Sequence, residues 1–480
     1  MTKINLVTDP AFGADPTNTT DSTAAFAAAL AGPAVAIVPP GTYKINNLVV
    51  PSGACLIGYS AFGYGGVGTD NQTILVALNS STVRVLNVDG ASNVLLAGFQ
   101  IECDYTLNDV RNTACDGISA GATVLNIRDV TVRMGRYGLG GAVAAGASTA
   151  NGICYLSNCE FFGCVTGIGD LVDAWLTNCY MSYCTTGAAF TGQSGSITVV
   201  GSRVEWNTTN GIQIDNASDI ILSSTTFDRN YVSGLYLNGT YKASITGCYF
   251  KRNGRNLDGN SCHIRFNSAG FINVTGCISR HGQDDDGTGN DAPAIWARES
   301  GTSGDITFVG NDLSGTTATQ PMTLGSLWAG NLPAGYAFSN NTGLLMDERS
   351  SGRPVVQSGF PYQDLQNINQ PANSTGTIQF VHDPVPAYSG ITHKLRVTAR
   401  NQNTGVMASA EFNYLIQREG GAPTITPSAA FGTIGTAGTI AFGPGTLRLS
   451  WTGIAADVST YTLSVQNTST ATQYITAQLY

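Results

Sequence analysis

The stretch SSTTFDRNYVSG, residues 223–234, returns in altered form 23 residues to either side. GSRVEWNTTNG stands at 201–211 and TGCYFKRNG at 246–254. Taking Cys159, Cys179, Ser202, Thr225, Cys248 and Cys277 as position zero aligns the copies. Position −3 is then Leu156, Leu176, Val199, Leu222, Ile245 and Val274, and position +2 is Phe161, Met181, Val204, Phe227, Phe250 and Ser279. The frame reaches back through Val130 to Phe99 and forward through Asn311 to Asn341, with 20 to 34 residues between successive zeros. A period of this size makes each copy one rung of a solenoid.

The rungs are made of strands. Apolar residues alternate with period two in VLNIRDVTV and SITVVGSRVEW, and turn residues interrupt them every few positions. A second column at +5 reads Cys164, Cys184, Asn207, Asn230, Asn253. Gly167, Gly187, Gly211 and Gly234 follow, at places suited to a left-handed or tight turn, and a third short strand reads IQI, LYL, IRF, AIWA. Three strands and three turns per rung describe a parallel β-helix. The cysteines of the two columns are read as stacked core fillers.

Composition agrees with many short strands and tight turns. Only 11% of the 480 residues are charged, and 58 are glycine. The net charge of −9 argues against a general nucleic-acid binder. No apolar run reads as a secretory signal or a membrane span, so no membrane partner is expected. Eleven cysteines without such a signal favour reduced thiols, and the four histidines make no zinc spacing with them. No cofactor and no metal are expected. DDDGTGND, 284–291, has a partial likeness to a calcium loop but lacks the downstream glutamate, and a solvated loop is preferred.

Ahead of the rungs, FGADP…DSTAAFAAAL…AIVPPGTYKI…VPSGACLIG closely resembles the entry segment of pectate-lyase-like β-helix proteins, bacteriophage tailspikes above all. The resemblance spans about residues 8–345 and, with strand chirality, implies a right-handed coil. Asp21 or Ser22 can N-cap a helix over about 22–30 that plugs the open end of the solenoid. The layout expected is all-β: cap and entry at 1–50, a right-handed parallel β-helix at 51–345, a linker at 346–376, and a C-terminal β-sandwich at 377–480. The last rests on longer alternating strands such as HKLRVTAR and YTLSVQN. In tailspikes such a domain holds three chains together or touches sugar. The resemblance also implies a virion-attachment domain, which here is absent, trimmed, or supplied by another protein.

Function follows from the outward columns. Position +3 reads Phe162, Ser182, Glu205, Asp228, Lys251, Arg280; position +1 includes Glu160, Tyr180, Arg203 and Tyr249; the third strand adds Gln213, Tyr236, Arg265 and Trp296. Glu205 and Asp228 on adjacent rungs are the candidate catalytic carboxylates, facing water. Glycosidases need two, ~5–5.5 Å apart when retaining and ~6.5–9.5 Å when inverting. Arg203, Tyr236, Lys251, Arg265, Arg280, His281 and Trp296 are the candidate substrate contacts. Long insertions at 254–262 and 281–294 form a wall beside them and bring Asp258, Asp284, Asp285, Asp286 and Asp291 as rival acids. The resemblance implies a homotrimeric tailspike depolymerase in the virion tail, with other virion proteins as partners, that hydrolyses a bacterial surface polysaccharide. A polysaccharide lyase using Arg265, Arg280, His281 and Tyr236, and a non-catalytic adhesin, are the alternatives.

Overall fold

The computed structural model describes residues 3–312 except 33, 60–71, 120, 122–123, 141–151, 192–194, 241, 256–261, 281–294 and 300–305; beyond 312 it describes mainly the backbone of separate strands. The chain divides into two compact units, Met1–Tyr336 with Thr342–Leu344, and Ala337–Asn341 with Leu345–Tyr480.

In the first unit the rungs stack as parallel strands, in the register the repeat predicts except at the last third strand, where Arg265 pairs with Arg298 and not with Trp296. Each rung has an entry strand (Asp173–Thr177, Ser196–Val200, Asp219–Ser223, Lys242–Thr246), a short strand (Tyr180–Ser182, Arg203–Glu205, Thr226–Asp228, Tyr249–Lys251) and a third strand (Asn210–Asp215, Ser233–Asn238, Cys262–Asn267). Entry and short strands belong to one large sheet and third strands to another. Phe161, Met181, Val204, Phe227, Phe250 and Ser279 pair in succession across the short strands and all are buried. Every apolar residue at −3 from Leu156 to Val274 is buried as well. This alternation is the core: one side of each strand fills the coil, the other looks outward.

Polar ladders tie the rungs at the turn after the short strand. Asn207 Nδ2 donates to Asn230 Oδ1, and Asn230 Nδ2 to Asn253 Oδ1, both at 2.8 Å. The cysteines at 159, 164, 179, 184, 248 and 277 are free and buried, as expected of core fillers.

The glycines correct the reading of that turn. Gly167, Gly187, Gly211 and Gly234 do not have left-handed backbones. They are small because the next rung passes close: a Cβ on Gly211 would lie 2.5 Å from the Gly234 carbonyl oxygen. Left-handed residues stand instead at two corners of each rung. At −1 they are Asp129, Asn158, Asn178, Gly201, Ser224, Gly247 and Gly276; at +4 they are Met134, Gly163, Tyr183, Trp206, Arg229 and Arg252. Bulky residues rarely adopt this conformation, so the second corner is held by packing of their side chains.

The predicted helix is Thr23–Ala29, with Phe26 and Ala29 buried. Its first N–H, at Thr23, donates to the Asp21 carboxylate at 2.9 Å, while the Ser22 hydroxyl accepts from Asp15 N–H. In the second unit, five strands (Gln366–Gln370, Gln473–Leu479, Ser389–Asn401, Met407–Arg418, Thr424–Pro427) and four (Ser374–Val381, Thr460–Asn467, Gly445–Ile454, Gly438–Phe442) form two antiparallel sheets. Two of these strands begin within the stretch read as a linker.

Candidate functional site

The predicted carboxylates are register partners on adjacent short strands, Glu205 beside Asp228. They do not face water. Glu205 is 1% exposed and Asp228 0%. Neighbouring side chains close over both acids: Tyr180 and Arg203 of position +1 cover Glu205, and the left-handed corner at +4 turns Arg229 and Arg252 back onto Asp228.

Asp228 is gripped by three cations. Its Oδ1 accepts from Arg252 Nε at 2.9 Å. Its Oδ2 lies 2.8 Å from Arg229 Nη1, 2.8 Å from Arg252 Nη2 and 3.1 Å from Lys251 Nζ. Glu205 Oε2 accepts from Arg203 Nε at 2.5 Å, and Oε1 from the Tyr180 hydroxyl. Burial opposes the charge of Arg203, but the Glu205 carboxylate prevails and raises its pKa above the ordinary value. Among the described residues two acids thus meet four cations, of which Arg203 is half exposed and Lys251 a quarter exposed. Such a patch suits anionic groups, which guanidinium forks bind in pairs.

Aromatic rings extend the column along the corner. Phe162 packs on Tyr183 at 5.1 Å, Tyr183 stacks on Trp206 at 5.9 Å, and the Arg229 and Arg255 guanidiniums lie over Trp206 at 4.5 and 5.2 Å. Cation–π attraction at these spacings fixes the corner residues.

The other predicted contacts scatter. Arg280 bonds Asp312 Oδ2 at 2.6 Å. Arg265 lies over the Tyr236 ring at 4.6 Å, on third strands, in a different sheet from the two acids. His281, Asp258, Asp284, Asp285, Asp286, Asp291 and the side chain of Trp296 lie outside the described residues. Among the described residues no cluster of three or more ligand-type side chains is placed to hold a metal ion.

One acidic cluster escaped the repeat reading. Glu102 and Arg133 occupy position +3 on the two rungs before Phe162, and both are buried. Arg133 Nη1 is 3.6 Å from Glu102 Oε2, and Nη2 is 2.8 Å from Asp109 Oδ1. Burial pushes the Glu102 carboxyl up to about 7, with Arg133 opposing. Asp109 lies on a third insertion, 103–115, at the same turn as the two predicted ones. Arg111 of that insertion binds the carbonyls of Gly163 and Tyr183 at 2.6 and 2.9 Å. The signal was present: extending the +3 column back to Phe99 reaches Glu102, and 15 residues part Glu102 from Ile118.

Residues 116–313 match the model of the right-handed β-helix region. The structure is similar to the enzymatically active domain of tailspike protein 2 of bacteriophage CBA120. The two share 13% identity at a TM-score of 0.55, over 99% of this chain and 79% of that one. It is also similar to full-length tailspike protein 2 from an Escherichia coli O157:H7 bacteriophage, at 12% identity and a TM-score of 0.55, over 99% and 71%. The fold is a tailspike-like right-handed parallel β-helix.

Proposed function

We propose that the chain is a tailspike depolymerase that cuts a bacterial surface polysaccharide, capsule or O-antigen, by hydrolysis. It acts as a homotrimer in the virion tail, for host recognition and entry. The two antiparallel sheets of the second unit pack as a sandwich that holds the chains together or touches sugar, and the helix Thr23–Ala29 covers the N-terminal end of the coil. The observation that carries the reading is the lengthwise file of two acids and four cations from Arg203 to Arg252, on a scaffold shared with an enzymatically active tailspike domain. Such a file matches the repeating charge of an acidic polymer.

Within the file, Glu205 is the proton-transferring acid. The half-exposed Arg203 at its side is drawn off by a sugar carboxylate, which frees an oxygen of Glu205 for the glycosidic bond. Asp228 is its partner in charge: it anchors the buried Arg229 and Arg252 and holds the part-exposed Lys251 toward the substrate. Tyr236, Arg265, Arg280, His281 and Trp296 are proposed sugar contacts. The cations also favour a second reading, a polysaccharide lyase in which Arg203 neutralises a uronate, the Tyr180 oxygen takes its C5 proton while the Tyr180 hydroxyl proton passes to Glu205, and the glycosidic oxygen leaves from C4.

The test is incubation of the protein with capsular and O-antigen polysaccharides from many strains, followed by mass analysis. Hydrolysis gives fragments heavier by one water per cut, with new reducing ends. An ultraviolet-absorbing unsaturated product transfers the assignment to the lyase. Binding without fragments makes the chain an adhesin.

A further inference from the structure

A second feature lies on the entry strands of the rungs that precede the acid–cation file, where a left-handed residue parts entry from short strand. A depression of about 440 Å³ is lined there by Asn93, Leu95, Asn126, Arg128, Tyr155 and Trp175, among others. Tyr155 and Trp175 are register partners, and their rings stack at 5.1 Å and 21°. The stack runs along the coil, so Trp175 covers one face of Tyr155. The other face is turned to the preceding rung, where Asn126 pairs with Tyr155. Asn126 is too short to cover a ring, and the depression opens above it. Tyr155 is 42% exposed, and Arg128 and Asn93 are exposed.

We propose that this depression is a carbohydrate-binding subsite for an acidic sugar, separate from the acid–cation file. The free face of Tyr155 stacks on a pyranose ring, since the C–H bonds of one sugar face suit the negative face of an aromatic ring. The Asn93 and Asn126 amides donate to and accept from its hydroxyls. Arg128, which has no ion-pair partner among the described residues, pairs with its carboxylate. The volume lies in the range of small-ligand sites, roughly 300–1,000 Å³. A subunit contact would instead need roughly 800 Å² of surface from each partner. Here the rings stop at Trp175, and the column continues with the polar Thr198.

The test titrates the full chain with trigalacturonate and maltotriose, read by saturation-transfer NMR. The wild type is expected to bind trigalacturonate more tightly than maltotriose. Tyr155→Ala weakens both by about three- to tenfold, the loss of one aromatic contact. Tyr155→Phe keeps the ring and the binding. Arg128→Ala lowers trigalacturonate to the level of maltotriose. Ile221→Ala, an exposed entry-strand position two rungs beyond Trp175, leaves all of this unchanged; the readout is binding and not cleavage, so failure here is separable from failure of the hydrolase reading. The proposal is overturned if Tyr155→Ala binds as the wild type, or if the wild type binds neither sugar. A drop in oligomeric mass in Tyr155→Ala with sugar binding intact also overturns it and makes this face a subunit contact.

Discussion

Arg252 sets Nε on one oxygen of Asp228 and Nη2 on the other, at 2.9 and 2.8 Å, bridging adjacent rungs. The Asp228 side chain is fully buried and that of Arg252 is 9% exposed. Asp228→Asn therefore removes the charge that the enclosed Arg252 and Arg229 share. Breaking one side of a buried ion pair costs about 3–5 kcal/mol. The urea midpoint of Asp228→Asn should fall accordingly. Lys251→Met should cost less, because its ammonium is a quarter exposed and the other two cations still neutralise the carboxylate. Equal, small shifts for both variants would show that the cations find water when the acid is removed.

Two glycines in the same rung should respond in opposite ways. Gly211→Ala drives a methyl group against the Gly234 carbonyl, and backbone in a stacked coil has nowhere to move. Overpacking of this kind costs about 1–3 kcal/mol. Gly201 has a φ of +60° and nothing within 4 Å of a Cβ. Asn158 and Asn178 already fill that position with φ of 53°. Gly201→Asn should change stability by no more than about 0.5 kcal/mol. Thermal unfolding of both variants decides. A loss at Gly201 to match that at Gly211 would remove the distinction between close approach and backbone freedom.

That contrast marks what was legible in the sequence. The core columns repeat a simple requirement, one apolar side chain per rung, and Phe227 or Leu222 declares it directly. The column of Asn207, Asn230 and Asn253 was legible for the same reason. The glycines after them were placed but misread, because a glycine forced by a neighbouring rung looks the same as one forced by its own φ. The burial of Glu205 and Asp228 was hidden for a different reason. Alternation places both side chains outward; Tyr180 and Arg203 of position +1 then close over Glu205, and the left-handed corner brings Arg229 and Arg252 onto Asp228. No one-dimensional pattern marks bulky residues for that conformation.

The thiols give a check on the register itself. Burial pushes the Cys154 and Cys159 thiols well above their ordinary pKa, so little thiolate forms near neutrality. Cys55 is the one free thiol among the described cysteines that is partly exposed. A maleimide should label Cys55 first and the core columns only after denaturant is added, as read by peptide mass mapping. Rapid labelling of Cys179 or Cys248 in the native protein would mean that the columns do not lie inside the coil.

Glu102 should make stability depend on pH in a direction unusual for an acid. Its folded pKa is pushed up to about 7, first by burial, against an ordinary value of 4.5. Between these values the folded chain holds a proton that the unfolded chain has released. Unfolding then releases protons, and stability falls as pH rises through this window. The effect is on the order of 3 kcal/mol when complete, from a shift of this size at about 1.4 kcal/mol per unit. A carboxylate ion-paired in the folded state alone would give the opposite slope at lower pH. Glu102→Gln carries a neutral group at every pH and should lose this part of the slope. Its stability should approach that of the wild type near pH 4 and exceed it near pH 8. The measurement is a series of denaturation curves from pH 4 to 8 on both proteins. Parallel curves over the whole range would mean that Arg133, 3.6 Å away, keeps Glu102 ionised after all.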